Sequence, residues 1–191
     1  MEEPTITHMK SARRILRYIK GTPNFGLFYP ASNELKLVGY SDCDWAGDKD
    51  DRKSTTGFVF YLGDAAFTWS SKNLSTCEAE YVAATSCVCH AIWLRNLLRE
   101  LNLPQKKATE IYVDNKSALA LAKNPVFHDR SKHIDTRYHY IRECLSKKDI
   151  ELKYVKFEDQ IADIFTKPLK LETFRRLRRS LGVCFKPENH V

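Results

Sequence analysis

The sequence has no long apolar run and no recognisable leader. Hydrophobic residues make up 43% of the 191 positions, but none of their runs approaches the roughly 20 consecutive apolar residues that a membrane-spanning helix needs. The first four residues, Met-Glu-Glu-Pro, lack the basic and apolar regions of a signal peptide. We therefore expect an intracellular protein without a membrane partner, and the length suits one well-buried domain with short appendages.

The six cysteines form no CxxC pair and no spacing typical of a disulfide framework. Reduced thiols without a disulfide partner are therefore expected. One group, Cys87, Cys89 and His90, contains residue types that bind zinc. Its spacing does not match a zinc finger and it falls inside a helical pattern, so a zinc site is disfavoured.

Acidic residues are outnumbered: 24 face 31 basic ones, which leaves a formal net charge of +7. The basic residues are clustered rather than evenly spread. Such clusters favour a polyanionic partner, most commonly a nucleic acid, although charged clusters also occur on ordinary solvated surfaces. They lie at residues 13–20, 52–53, 72, 106–107, 130–132 and 175–179.

Two short apolar segments end in aspartate. Residues 35–42 alternate loosely between apolar and polar side chains and reach Asp42, and residues 110–114 repeat the design and reach Asp114. If both are strands that lie parallel and adjacent, their terminal carboxylates meet. Carboxylates so close repel unless a cation lies between them, and Mg²⁺ prefers such oxygen ligands. The alternative is that each aspartate only caps its strand, and Asp44 competes with Asp42.

The remaining patterns predict a mixed α/β protein. A capping box at residues 75–78 begins a long apolar helix that carries Glu80 in its first turn, where the helix dipole alone also favours an acid. A meander of three strands followed by alternating helices and strands predicts a five-stranded mixed sheet flanked by helices. The predicted helices are 9–20, 79–101, 117–122, 131–147, 159–165 and 172–181, and the further strands are 54–62, 65–71, 111–113 and 150–155.

Six ordered strings together resemble one family. They occupy residues 40–48, 52–57, 75–81, 113–118, 132–138 and 159–168, and they include Ser-Asp-Cys-Asp-Trp, Cys-Glu-Ala-Glu-Tyr and Ala-Asp-Ile-Phe-Thr-Lys-Pro. The set resembles the RNase H domain of copia-type (Pseudoviridae) retrotransposon Pol polyproteins. The resemblance implies an α/β, ribonuclease H-like fold with a five-stranded mixed sheet, an antiparallel meander plus parallel strands.

The resemblance also implies a division of the chain. Residues 12–29 resemble the last part of a reverse transcriptase, so residues 1–33 are interpreted as a reverse transcriptase remnant. Residues 34–169 are then the RNase H-like domain, and residues 170–191 a basic C-terminal helix and tail. In an intact polyprotein the reverse transcriptase domain would be a partner, and a cytoplasmic virus-like particle the location.

Carried over residue by residue, the family motif makes four acids both catalytic and metal-binding: Asp42, Glu80, Asp114 and Asp163. The implied activity is endonucleolytic hydrolysis of the RNA strand of an RNA/DNA hybrid with two Mg²⁺ ions, Mn²⁺ being an alternative, and with Asp42 bridging them. Glu78 competes with Glu80 for its role. Candidate contacts to the nucleic-acid backbone are Arg52, Lys53 and Lys72.

Two features depart from the family pattern. Many cellular relatives carry a catalytic His after the last strand, but residues 155–159 contain none, so Glu158 or water would have to shuttle protons. Residues 69–75 resemble a shortened strand-to-helix connection, which makes activity uncertain. The rival interpretation is a catalytically inactive or decayed RNase H-fold module for nucleic-acid binding or docking. An integrase-type transferase on the same fold is disfavoured.

Overall fold

The computed structural model describes residues 3–31, 34–47, 52–74, 79–116, 119 and 132–185, with the side chains of 79–81 and 132–138 outside the description. In chain order the elements are α1 (Ile6–Gly21), β1 (Phe25–Leu27), β2 (Leu37–Asp44), β3 (Ser54–Leu62), β4 (Ala65–Leu74), α2 (Ala79–Glu100), β5 (Thr109–Val113), α3 (Lys132–Ser146), β6 (Ile150–Tyr154), two 3₁₀ helices (Phe157–Asp159 and Ile161–Phe165), α4 (Leu171–Ser180) and β7 (Val183–Phe185).

Five strands form the main sheet, in the order β4-β3-β2-β5-β6. The first three are an antiparallel meander, whereas β5 runs parallel to β2 and β6 runs parallel to β5. The register pairs Ser41 of β2 with Val113 of β5. The next residue along the chain is an aspartate in both cases, so Asp42, within β2, and Asp114, directly after β5, lie at the same end of the sheet. This confirms the expected α/β, mixed five-stranded architecture.

Strand β3 is largely buried on both faces, whereas β2 and β5 each have one buried and one half-buried face, which explains why the apolar–polar alternation in the sequence is loose. On one face, Phe60 and Ile111 pack against Val88 and Leu94 of α2. On the other face, Val59 and Tyr61 of β3 join a second cluster that includes Leu181. Burial of each large apolar side chain contributes about 1.5–3 kcal/mol to the stability of the fold. Helix α2 therefore stabilises one face of the sheet, and the C-terminal segments stabilise the other.

The predicted α-helix over residues 159–165 is wrong. Two 3₁₀ helices occupy this region, and they meet at Gln160, whose backbone is extended (φ −73°, ψ 101°). The Gln160 side chain accepts a hydrogen bond from Ala162 N and donates one to Ser41 O over 3.0 Å. An α-helix through Gln160 would move its side chain away from β2, so the hydrogen bond to Ser41 interrupts the helix at this residue.

The predicted return strand over 65–71 is too short. Strand β4 continues to Leu74 and stays in register with β3, with Lys72 opposite Thr56 and Leu74 opposite Ser54. Most of the segment interpreted as a shortened connection is therefore strand. The predicted capping box at 75–78, the helix at 117–122 apart from residue 119, and the turn at 124–125 lie outside the described residues.

A small second sheet escaped the sequence analysis. Strand β1 pairs antiparallel with β7, and Phe25 and Phe185 lie opposite each other with ring centroids 5.6 Å apart. The guanidinium of Arg178 in α4 lies 4.2 Å from the Phe25 ring centroid, a favourable cation–π distance. The N-terminal and C-terminal segments flanking the main sheet are thus attached to each other. Within the described residues, no helix has the length and apolar character to cross a membrane.

Candidate metal centre

Three aspartates converge at the edge where β2 and β5 end. Asp42 is buried near the end of β2, Asp114 directly follows β5, and Asp163 is buried in the second 3₁₀ helix. Each offers a carboxylate oxygen within 4.8 Å of those of the other two. Parallel pairing of the two strands brings Asp42 and Asp114 together, and the 3₁₀ helix adds Asp163 from a distant part of the chain.

The second 3₁₀ helix is tied to β2 by side-chain hydrogen bonds and packs closely on β3. The Thr166 hydroxyl is within hydrogen-bonding distance of Asp42 Oδ2 and, at 3.2 Å, of the backbone oxygen of Asp163. Gly57 of β3, which pairs with Asp42, provides the room. A Cβ at Gly57 would lie 2.8 Å from Thr166 Cγ2 and 2.9 Å from Phe165 Cβ, closer than carbon atoms normally approach.

The crowded carboxylates shift each other's ionisation. Burial raises the pKa of Asp163 to about 7, opposed by the Lys167 ammonium and reinforced by the charges of Asp42 and Asp114. Burial also raises the pKa of Asp114, with the charge of Asp42 adding to the effect. Both shifts report excess negative charge in a desolvated place. Oxygen donors in such an arrangement fit a hard divalent cation such as Mg²⁺.

One positive side chain already lies among the aspartates. Lys167 Nζ is 2.9 Å from Asp163 Oδ1 and 3.5 Å from Asp42 Oδ2. Burial alone would lower the pKa of Lys167, but the charges of Asp42 and Asp163 outweigh that effect and the net shift is upward. The ring of Phe157, in the first 3₁₀ helix, lies 4.7 Å from the same Nζ.

A cavity of about 300 Å³ opens at this edge of the sheet. It is lined by Ser41, Asp42, Cys43, Ala83, Ala84, Val113, Asp114, Asn115, Lys116 and Lys167. The cavity therefore joins two of the three aspartates to the first turns of α2. Glu80 is the second residue of α2, one turn before Ala83 and Ala84, but its side chain is outside the described part, and Glu78 is outside it entirely.

Asp44 does not belong to the aspartate cluster found among the described residues. Its carboxylate lies over the loop that follows β2, since a Cβ built at Gly47 would be 2.0 Å from Asp44 Oδ2. Of the two competitors on this strand, the structure thus places Asp42 with Asp114 and Asp163.

The candidate nucleic-acid contacts lie at the same end of the sheet. The two residues that precede β3 and one residue near the end of β4 are exposed, namely Arg52, Lys53 and Lys72. Because β3 runs antiparallel to β2, its start lies beside the end of β2 that carries Asp42. Positive charge therefore borders the aspartate cluster on the β3–β4 side.

Sequence reasoning missed Gln160, Thr166 and Lys167 as parts of the site. All three lie in the 159–168 string, and the four-residue spacing of Asp163 and Lys167 was a visible signal for an ion pair. The string was interpreted only as the carrier of one acid. Thr166 was invisible to that reasoning, because its contact with Asp42 joins positions 124 residues apart.

No protein-family model matches the chain. The chain is 42% identical over 192 residues to the retrovirus-related Pol polyprotein from transposon RE1 of Arabidopsis thaliana. This match covers 98% of this chain and 13% of the relative. It is 39% identical over 188 residues to that from transposon TNT 1-94 of Nicotiana tabacum, which covers 96% of this chain and 14% of the relative. The chain thus spans about one seventh of the length of these relatives.

Solved structures show the same fold at low identity. The N-terminal RNase H domain of a Mycobacterium tuberculosis protein, solved as a fusion with maltose-binding protein, gives a TM-score of 0.51 at 15% identity and covers 77% of this chain and 99% of that one. RNase H1 from Halobacterium salinarum gives 0.50 at 14% identity and covers 69% and 94%. The chain belongs to the copia-type retrotransposon Pol polyproteins, of which it carries a part with the RNase H fold.

Proposed function

We propose that the chain is an endoribonuclease that hydrolyses the RNA strand of RNA/DNA hybrids during retrotransposon reverse transcription. The observation that supports this most is the convergence of Asp42, Asp114 and Asp163 within 4.8 Å at the edge of two parallel strands. If Asp42 and Asp114 only capped their strands, the presence of a third buried aspartate from a separate 3₁₀ helix would be unexplained. A site for divalent cations gives all three a common role.

Asp42, Glu80, Asp114 and Asp163 would hold the metal, Mg²⁺ or Mn²⁺. When bound, two such ions supply an activated water and neutralise charge on the scissile phosphate and the leaving oxygen. Asp42 is the best candidate for a shared ligand. It lies beside both other aspartates, because β2 pairs with the strand that leads to Asp114 and Asp42 Oδ2 shares the Lys167 ammonium with Asp163.

The remaining side chains hold and orient these ligands. Thr166 contacts one oxygen of Asp42 and leaves the other oxygen for metal. Gln160 joins the 3₁₀ helix to the carbonyl of Ser41, the residue before Asp42, so the position of Asp163 relative to β2 is fixed. These contacts restrict the carboxylates before substrate arrives, which reduces the reorganisation that catalysis requires.

The substrate would approach over the basic side of the site. Arg52, Lys53 and Lys72 would contact phosphates beside the cavity, and discrimination for RNA would come from 2′-hydroxyl groups read across the minor groove. In an intact element, the reverse transcriptase domain would be the covalent partner and a virus-like particle the setting. The relatives' description as Pol polyproteins supports that context.

A non-catalytic nucleic-acid-binding or docking module is the second candidate. It is favoured by Lys167, whose ion pairs with Asp42 and Asp163 partly neutralise the cluster without metal. It is also compatible with the His-free loop at 155–159. The two candidates differ in one measurable property, because only the enzyme requires a divalent cation to change its substrate.

Cleavage of a hybrid with separately labelled strands tests the proposal. Purified protein should cut only the RNA strand, in Mg²⁺ or Mn²⁺ but not in EDTA, and leave 5′-phosphate and 3′-hydroxyl ends. Asp42→Asn should abolish cleavage, whereas the matched variant Asp44→Asn, two residues along the same strand, should retain it. Hybrid binding with no metal-dependent cleavage above the Asp42→Asn background would favour the binding module instead.

A further inference from the structure

Lys167 occupies the space that connects Asp42 and Asp163. Its ammonium lies 2.9 Å from one carboxylate and 3.5 Å from the other, and its side chain is only 20% exposed. On a further side lies the ring of Phe157, 4.7 Å from Nζ. The ammonium is thus enclosed by two carboxylates and an aromatic face, which is a defined seat for one positive charge.

The seat overlaps with the place where Asp163 would bind a metal. Lys167 lines the cavity beside Asp42 and Asp114, while Asp163 itself does not line it. Asp163 Oδ1, the oxygen facing Lys167, is buried and has no hydrogen-bond donor in the described part of the chain, so the ion pair with Lys167 is what compensates its charge. A divalent ion at this oxygen and the ammonium at 2.9 Å would be two cations on one ligand atom, and they repel strongly.

We propose that Lys167 is a built-in counter-cation of the metal centre: it neutralises the aspartates when no divalent ion is bound, and it must leave Asp163 before a divalent ion binds there. Among the described residues Lys167 forms ion pairs with Asp42 Oδ2 and Asp163 but none with Asp114, so a divalent ion can approach Asp114 first while Lys167 is seated. The long, flexible lysine stem and its partial exposure allow the ammonium to withdraw toward solvent.

This inference rests on the proposed function only in assuming that the aspartates bind metal, not that the protein cleaves RNA. A competing cation and a purely structural lysine predict opposite changes in metal affinity when the lysine is removed. Removal of a structural ion pair weakens both folding and the site. Removal of a competing cation weakens the metal-free fold but strengthens metal binding.

The test uses the full chain without nucleic acid, with Lys167→Met as the main variant. In EDTA its melting temperature should fall by roughly 5 °C or more, because a buried carboxylate loses its partner. In calorimetric titrations its dissociation constant for Mn²⁺ should decrease by about tenfold, since the ion no longer displaces a positive charge. Lys116→Met is the matched control, because Lys116 lines the same cavity but its ammonium lies over the Tyr154 ring, 4.9 Å from the centroid.

Metal affinity in Lys167→Met equal to or weaker than in the parent would overturn the proposal, as would an equal gain in Lys116→Met. If the methionine variant does not fold in EDTA, Mn²⁺ should restore its folding, and a failure of metal to do so would also overturn it. Lys167→Gln, which can still donate a hydrogen bond to Asp163 without a charge, should reproduce the gain in affinity. If the parent protein does not cleave the hybrid while the Lys167 variants still gain affinity for Mn²⁺, the ribonuclease function is rejected and this inference stands.

Discussion

Replacement of Asp114 by Asn should stabilise the metal-free protein, because it removes one of three mutually repelling carboxylates and keeps its shape. Carboxylate oxygens of Asp42 and Asp114 lie within 4.8 Å, and two unit charges at that separation repel by about 3.5 kcal/mol at an effective dielectric near 20. The charge of Lys167 and the side chain of Gln160 offset part of this repulsion. A net gain of about 1–2 kcal/mol corresponds to a melting temperature higher by roughly 3 to 6 °C in EDTA.

The gain should depend on pH in a defined direction. The pKa of Asp114 in the folded protein is raised above its ordinary value of 3.8, so the folded state binds more protons than the unfolded state just above that pH. Stability of the parent therefore falls as pH rises through this window. The advantage of Asp114→Asn should be absent below about pH 3.8 and should grow toward neutral pH.

Added Mg²⁺ should reverse the order of the two proteins. At a hundred times the dissociation constant, binding stabilises the native state by about 2.7 kcal/mol, and the variant, with one ligand fewer, should gain much less. Differential scanning fluorimetry over a Mg²⁺ series measures both effects, and Asp44→Asn should respond to Mg²⁺ like the parent. An Asp114→Asn protein that is neutral or less stable in EDTA, and that responds to Mg²⁺ like the parent, would refute the metal assignment.

Three further changes have expected outcomes. Gly57→Ala should destabilise the protein by about 1–3 kcal/mol in thermal melts, because the added carbon forces Phe165 and the second 3₁₀ helix away from β3, and it should weaken Mn²⁺ binding in the same samples. The hydrogen bond from Lys36 is the largest cause that lowers the pKa of Glu110 to about 2. The ionised Glu110 therefore stabilises the folded state above about pH 4.5, and this stabilisation is lost as the pH falls toward 2. In an acid titration Glu110→Gln should lose less stability than the parent over that range. Affinity for an RNA/DNA hybrid should fall steeply as salt concentration rises. Replacement of Arg52, Lys53 and Lys72 together by Ala should reduce the slope of log K against log salt by about 2 to 3.

The main sheet could be predicted because its signals are local. Strand β3 runs from Ser54 to Leu62, as its apolar run and the Gly63 turn indicated, and the parallel pairing of β2 with β5 follows from the α/β order. The meeting of Asp42 and Asp114 then required only that both strands end at one edge. That step depends on topology rather than on side-chain detail, which is why it could be reached from the sequence.

The parts that could not be predicted depend on contacts between distant residues. Strands β1 and β7 have three residues each, too few for a periodic pattern, and each is a strand only because the other pairs with it. Residues 159–165 do not form the predicted α-helix because the Gln160 side chain donates a hydrogen bond to Ser41 O, 119 residues away in the sequence. Lys167 lies in the string 159–168, outside the basic clusters and beyond the helix predicted over 159–165, and its place between two aspartates depends on the 3₁₀ geometry to which this bond contributes.

The most direct test of the central claim is the position of metal in a crystal of the protein grown with Mn²⁺. Anomalous diffraction should reveal a Mn²⁺ ion about 2.1 Å from carboxylate oxygens of Asp42 and Asp114, and any second ion near Asp163 should appear only where Lys167 has left its seat. A map with saturating Mn²⁺ that contains no anomalous peak in contact with the three aspartates would contradict the account.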